Sequence, residues 1–202
     1  MNREIQYDEV FDAQQHYRLL LDSMARPGKI NRLAAPIGAV PEGINEASVL
    51  TAFALLNADT SFCPLASNGK EIGDYLLLNT SSHPLPHTQA DYIFLPGKGE
   101  SRQIAELRVG SLSYPEEGAT LVVDTEEISP DPLSGAVEFI LKGPGVEGEK
   151  KVYVRGLQID LPVRVREQNL EFPLGIDMIL TDKHNHIICI PRSNLFSVTI
   201  NQ

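Results

Sequence analysis

The chain has 202 residues, 42% of them hydrophobic, and carries a formal net charge of -10 at pH 7. That length supports one substantial core and is short for two full domains, so a single domain over residues 1–202 is expected. The acidic balance opposes non-specific binding to nucleic acid or anionic lipid, and an anionic ligand would need a local basic patch.

The opening stretch MNREIQYDEVFDAQQ has acids where a secretory signal carries its apolar run, and no later run approaches the length of a membrane span. A soluble, cytoplasmic protein is expected. Val10, Ala13, Tyr17, Leu20 and Met24 recur at spacings of three and four, which predicts a helix with these residues on its buried face. It should start near Asp8 as N-cap and end before Arg26-Pro27-Gly28. His16 lies one step off the stripe and reads as a surface or boundary residue.

From Lys29 to Pro36 a short extended piece is expected. Asn45 then caps EASVLTAFALLNA, a helix apolar around most of its circumference and therefore placed between layers. SFCPLA reads as a short strand, GKEIGDYLLLN as a helix with Ile72, Leu76 and Asn79 on one face, and ADYIFLPG as a second strand. Cys63 and Cys189, embedded in apolar sequence, read as reduced core residues. This alternation predicts an α/β layered domain with a partly parallel sheet.

From Ala119 the character changes. ATLVVDTEE and AVEFILKG read as strands, the latter turning through GPGVEGE into KKVYVRG as an antiparallel pair, and DLPVRVREQNLEF as a short helix with Val163, Arg166 and Leu170 on its sides. The stretch FPLGIDMILTDKHNHIICIPR predicts a hairpin with a four-residue loop, Asp182 to Asn185, bounded by Pro173 and Gly175 before and Pro191 after. With Thr181 opposite His186, Asp177 falls opposite Ile190 and diagonal to Arg192. That pair reads either as a structural ion pair among apolar neighbours or as the mark of a binding or subunit-contact surface. The whole predicts one three-layer α/β/α sandwich with a mixed sheet.

Motifs for chemistry are sparse. Gly143-Pro144-Gly145-Val146-Glu147-Gly148 has the letters of a dinucleotide signature, but a strand follows where a helix N-terminus would have to meet pyrophosphate, so it reads as a hairpin turn. Lys98, between Gly97 and Gly99 at a strand end, suggests a phosphate-binding or Schiff-base lysine, with a solvated turn lysine as the default; a 103–107 helix is expected after it. His83 and His87 are held apart by prolines, and of His184 and His186 one lies in the hairpin loop, so no metal site is expected. No nucleophile elbow, His-Glu-x-x-His or Cys-x-x-Cys occurs.

FPLGIDMIL followed by IPRS, with LLLDSMARPG, PEEGATLVV and LKGPGV, resembles the PhnH family, a component of the bacterial carbon-phosphorus lyase core complex, along nearly the whole chain. The resemblance implies a homodimer with a fold like the large domain of pyridoxal-phosphate transferases but without that cofactor, joining the G, I and J subunits. It also implies that the G, H, I and L subunits together let an alkylphosphonate displace adenine from MgATP, giving a ribose 1-alkylphosphonate 5-triphosphate. The I subunit is credited with that chemistry, and the J subunit later cleaves the carbon-phosphorus bond. This chain would be a non-catalytic or accessory subunit with no cofactor of its own, MgATP being a substrate of the complex. The alternatives are a module that binds nucleotide or phosphonate through Lys98, Arg192 or Arg26, and a stand-alone pyridoxal-phosphate enzyme with Lys98 as imine lysine.

Overall fold

The computed structural model describes residues 7–201. In chain order the elements are α1 (Phe11–Ala25), β1 (Asn31–Arg32), α2 (Glu46–Leu55), β2 (Ser61–Pro64), α3 (Gly69–Thr80), β3 (His83–Pro84), β4 (Tyr92–Pro96) and β5 (Thr120–Asp124). They continue as β6 (Glu127–Ser129), β7 (Val137–Lys142), β8 (Lys150–Arg155), α4 (Asp160–Gln168), β9 (Asp177–Thr181), β10 (His186–Ile190) and β11 (Leu195–Ile200). Two short 3₁₀ turns, Arg102–Glu106 and Pro115–Glu117, lie between β4 and β5. No helix among the described residues is long and apolar enough to cross a membrane.

A seven-stranded sheet with order β1-β10-β9-β5-β4-β2-β3 forms the middle of the molecule, with β10 alone running against the others. On one face Phe94, Val122, Ile179, Ile187 and Cys189 pack against α1, α2 and α3 through Leu20, Leu50 and Leu76. Every residue of α2 from Ala47 to Ala52 is buried, because this apolar helix lies between the sheet and its flanking helices.

The other face departs from the expected α/β/α order. Ile93, Leu95, Leu121, Val123, Met178, Leu180, Ile188 and Ile190 join one cluster with Val137, Phe139, Leu141, Val152, Val154 and Phe196, which belong to an antiparallel four-stranded sheet ordered β11-β7-β8-β6. Among the described residues, only α4 and the 3₁₀ turn at Arg102–Glu106 add buried helix there, through Leu161, Val165 and Ile104. Strand β7 explains the sheet: Val137, Phe139 and Leu141 are buried while Glu138, Ile140 and Lys142 turn outward, the period-two pattern of a half-solvated strand. Burying a side chain such as Phe139 contributes roughly 2 kcal/mol each time. The third layer is therefore mainly β.

Three local expectations also change. Asp8 caps α1 as expected, its Oδ1 accepting the Val10 and Phe11 N–H groups at 2.9 and 2.8 Å. The buried face of the helix, however, is His16, Leu20 and Ser23, with Val10 and Tyr17 exposed. That rotation by about one residue is set by polar partners: the His16 ring bonds the Tyr7 hydroxyl (3.2 Å), and the Asn31 amide reaches Ser23 Oγ (2.9 Å) and the Leu19 carbonyl (3.2 Å). Helix α4 ends at Gln168, buries Leu161, Pro162 and Val165, and leaves Leu170 exposed beyond its end.

The hairpin forms, in a register one residue away from the expected one. Thr181 faces Ile187 and Met178 faces Ile190, and the loop has three residues, 183–185, closed by the Asp182 N–H on the His186 carbonyl (3.1 Å). Asn185 takes the left-handed conformation (φ 63°) that this loop length needs at its last position. The observed register puts Leu180 and Ile188 on one face and Ile179 and Cys189 on the other. The expected register would have set Leu180 against Ile187, whose side chains belong to opposite layers.

Candidate functional site at the amino end of the sheet

Asp177 opens β9, and Arg192 lies two residues beyond the end of β10, so the hairpin delivers both to the amino end of the parallel strands. The Arg192 N–H donates to Asp177 Oδ1 at 2.8 Å; its guanidinium Nη2 meets Oδ2 at 2.6 Å and Nε lies 3.3 and 3.2 Å from the two carboxylate oxygens. Nη1 donates to the Pro115 carbonyl at 2.7 Å and Nη2 to the Gly118 carbonyl at 3.4 Å. A Cβ at Gly118 would collide with Arg192 Nη1 and the Gly175 carbonyl, so glycine there is a packing requirement. The guanidinium thus clips the loop before β5 to the hairpin.

Two loops extend around this clip. The segment after α4 is held by Asn169, whose Oδ1 accepts the Ile176 N–H (2.8 Å) and whose amide donates to the Ile176 carbonyl (3.0 Å), and Gly175 N–H bonds the Val109 carbonyl of the other loop (2.9 Å). Between them is an open hollow of about 330 Å³ lined by Pro115, Glu116, Phe172, Pro173, Asp177 and Arg192. The same loops leave Leu112, Tyr114, Leu170 and Phe172 strongly exposed, together with Glu116, Glu117 and Glu171. The result is an exposed apolar surface on hydrogen-bonded loops, with acidic neighbours. With its donors committed to Asp177 and to two carbonyls, Arg192 would have to give up internal bonds to hold an outside anion.

The remaining expected site residues lie elsewhere. Lys98 follows β4 at the opposite, carboxyl end of the sheet, where Nζ meets Glu126 Oε1 at 2.7 Å. Arg26 follows α1 and pairs with Asp22, which also holds Lys29 at 2.7 Å. Among the described residues no three His, Cys, Asp or Glu side chains gather as a metal site. Burial pushes both thiols up, Cys189 fully buried and Cys63 partly so.

Sequence reasoning missed two carboxylates at the carboxyl end. Asp124 ends β5, and burial pushes its carboxyl up to about 6 against the opposing bonds from the Asn45 N–H (2.8 Å), Ser48 Oγ (2.7 Å) and Thr181 Oγ1 (3.4 Å). Asp182 is fully buried in the hairpin turn, accepting the N–H groups of Ile128, His184 and His186 and facing His186 Nδ1 at 3.0 Å. The acid closing the apolar run of ATLVVD was the available signal for Asp124; nothing local marked Asp182 as buried.

Together these features define a mixed α/β protein whose loops at the amino end of the sheet are tied by the Asp177–Arg192 pair and expose apolar side chains. The chain belongs to the PhnH family: the family described as bacterial phosphonate metabolism protein (PhnH) matches residues 6–197. It is 29% identical over 189 residues to the alpha-D-ribose 1-methylphosphonate 5-triphosphate synthase subunit PhnH of Rhizobium meliloti (strain 1021), covering 92% of this chain and 90% of that protein. It is 27% identical over 180 residues to the putative C-P lyase subunit protein HtxG of Stutzerimonas stutzeri, covering 89% and 83%.

Proposed function

We propose that this chain is an accessory, non-catalytic subunit of a cytoplasmic carbon-phosphorus lyase core complex, supporting formation of ribose 1-alkylphosphonate 5-triphosphate from MgATP and an alkylphosphonate by a partner. The observation that carries the reading is the braced prominence at the amino end of the sheet: Asp177 and Arg192 fix two loops that display Leu112, Tyr114, Leu170 and Phe172 to solvent. Aromatic side chains on a rigid frame suit protein contact, because little conformational freedom is lost when they are covered. The relatives' names, one a synthase component and the other a C-P lyase component, support the same assignment.

In this reading the chain dimerises and joins the G, I and J subunits. A second apolar surface on α1, formed by Val10, Phe11, Tyr17 and Leu21, supports association with more than one neighbour. The mostly parallel seven-stranded sheet supports the likeness to the large domain of pyridoxal-phosphate transferases, while Lys98, the residue suited by position to an imine, is occupied by Glu126.

Reconstitution tests the proposal. The G, I and L subunits with MgATP and methylphosphonate should form the ribose phosphonate efficiently only when this chain is added, read by phosphorus NMR. Full activity without it would overturn the supporting role, and so would turnover by this chain alone.

A further inference from the structure

Strands β2 and β4 are parallel neighbours, and the chain leaves their carboxyl ends toward opposite faces of the sheet. After β2 it runs through residues 65–68 into α3, whose Ile72 and Leu76 pack in the helical layer. After β4 it runs through residues 97–101 into the 3₁₀ turn Arg102–Glu106, whose Ile104 packs in the other layer. Diverging connections from adjacent strands leave a crevice between them, the place where open α/β sheets hold small ligands. Here that crevice exists: a cavity of about 580 Å³ between the two loops, with Leu65 and Pro96 as apolar walls and Ser67, Lys98, Glu100 and Gln103 as polar lining. Its volume falls in the roughly 300–1,000 Å³ range of small-molecule sites.

Lys98 is held by its backbone and loose in its side chain. The Gln158 amide donates to the Lys98 carbonyl (3.1 Å), the Gln158 N–H to the Gly97 carbonyl (2.9 Å) and the Gly97 N–H to the Asp124 carbonyl (2.6 Å). Its side chain is 66% exposed and bonded to Glu126, and an exposed pair of this kind contributes little to stability. Glu126 has other cations to fall back on, Arg155 Nε at 3.9 Å and the field of Lys183, which with Lys98 as the largest influence hold its carboxyl below the usual range. Lys98 can therefore exchange Glu126 for an incoming anion without stranding that carboxylate. A single flexible ammonium beside a hydroxyl and an amide matches tetrahedral phosphoryl oxygens better than a planar carboxylate, which favours the fork of arginine.

We propose that the crevice between the β2 and β4 carboxyl ends binds a phosphoryl group carried by a small molecule, with Lys98 leaving Glu126 to meet it and Ser67 and Gln103 donating hydrogen bonds. The proposal concerns the chain by itself and stands apart from its assembly with partners, so a failed reconstitution leaves it intact.

The test is calorimetric titration of the full chain with inorganic phosphate and separately with MgATP, for the unaltered protein and for Lys98→Met and Glu126→Gln. At least one ligand should bind, Lys98→Met should weaken it at least tenfold, and Glu126→Gln should tighten it several-fold by releasing the lysine. Phosphate and MgATP competing for one site assigns a phosphoryl group alone; saturation by MgATP with phosphate unable to displace it assigns a nucleotide. Circular dichroism of both variants guards against loss of fold, with Gln103→Leu as a second lining variant expected to weaken binding. No binding of either ligand at millimolar concentration, binding unaltered by Lys98→Met, or binding not tightened by Glu126→Gln overturns the proposal.

Discussion

Arg192 and Asp177 meet through two side-chain nitrogens and one backbone N–H, and the same guanidinium reaches the carbonyls of Pro115 and Gly118. One side chain thus ties the hairpin to a segment more than seventy residues away, a separation of 74 at Gly118. Because the pair is largely buried, removing the Arg192 side chain leaves the Asp177 carboxylate with only a backbone N–H and takes a donor from two carbonyls. Arg192→Ala should cost about 3 kcal/mol, read as a lower urea midpoint with an unchanged slope. Arg192→Lys should recover less than half of it, since an ammonium cannot span the carboxylate and both carbonyls at once.

Gly118 gives an independent check on the same clip. Gly118→Ala forces a methyl group against Arg192 Nη1 and the Gly175 carbonyl, so it should destabilise by roughly 1 to 3 kcal/mol. In an Arg192→Ala background the penalty should shrink, because one of the two obstacles is gone, and a double-mutant cycle measures that coupling. Additive penalties would mean that the collision is relieved elsewhere.

The buried carboxyl of Asp124 sets a pH dependence of definite sign. Its folded value, about 6, lies above the ordinary 3.8 because burial disfavours the charged form. Between about pH 4 and 6 the folded state therefore binds the proton more strongly, and this contribution to stability is full below about pH 4 and lost as pH rises through 6. Asp124→Asn keeps an oxygen for the Asn45 N–H and Ser48 hydroxyl while removing the charge. The variant should be more stable than the parent at pH 8 by on the order of 2 kcal/mol, with the difference vanishing near pH 4, as followed by chemical denaturation across pH.

His16 acts in the opposite direction. Burial holds its imidazole below the ordinary 6.5, with the Ala34 carbonyl and Asp12 opposing. A histidine with a depressed folded value contributes stability that is present above about 6.5 and lost as pH falls through the folded value. Proton NMR should show the His16 ring titrating below 6.5. A titration above 6.5 would mean that the Ala34 carbonyl and Asp12 outweigh the burial that disfavours a charged ring beneath α1.

Much of the helical layer was legible because its signals are local. Asn45 before an apolar run marked the start of α2 and its buried position, and Ile72 with Leu76 marked the face of α3. The face of α1 was not legible because Tyr17 is counted as apolar although its ring stays in solvent, while His16 and Ser23 are buried by partners on other segments. The hairpin register was not legible because β9 and β10 are apolar on both faces, which removes the alternation that would have fixed it. Asp177 and Arg192 still meet, since an arginine reaches across a one-residue error. Their link to Pro115 and Gly118, and the bonds Asp124 receives from Asn45, Ser48 and Thr181, depend on tertiary placement that spacing does not encode.

The exposed loops around the clip provide the sharpest separation of association from folding. Phe172 is 65% and Tyr114 58% exposed, so Phe172→Ser and Tyr114→Ser remove little that is buried within the chain, and each should alter stability by about 0.5 kcal/mol or less. If these rings are covered in the assembly, each substitution should weaken association with its partners at least tenfold, as expected of aromatic anchors at the centre of a contact. Quantitative co-purification with a tagged I subunit, paired with thermal unfolding of the free chain, measures both effects. Because the rim carries Glu116, Glu117 and Glu171, salt should slow association with a basic partner surface and leave dissociation nearly constant. Unchanged assembly in the Phe172→Ser, Tyr114→Ser double variant would move the contact surface away from the amino end of the sheet, toward the apolar residues of α1.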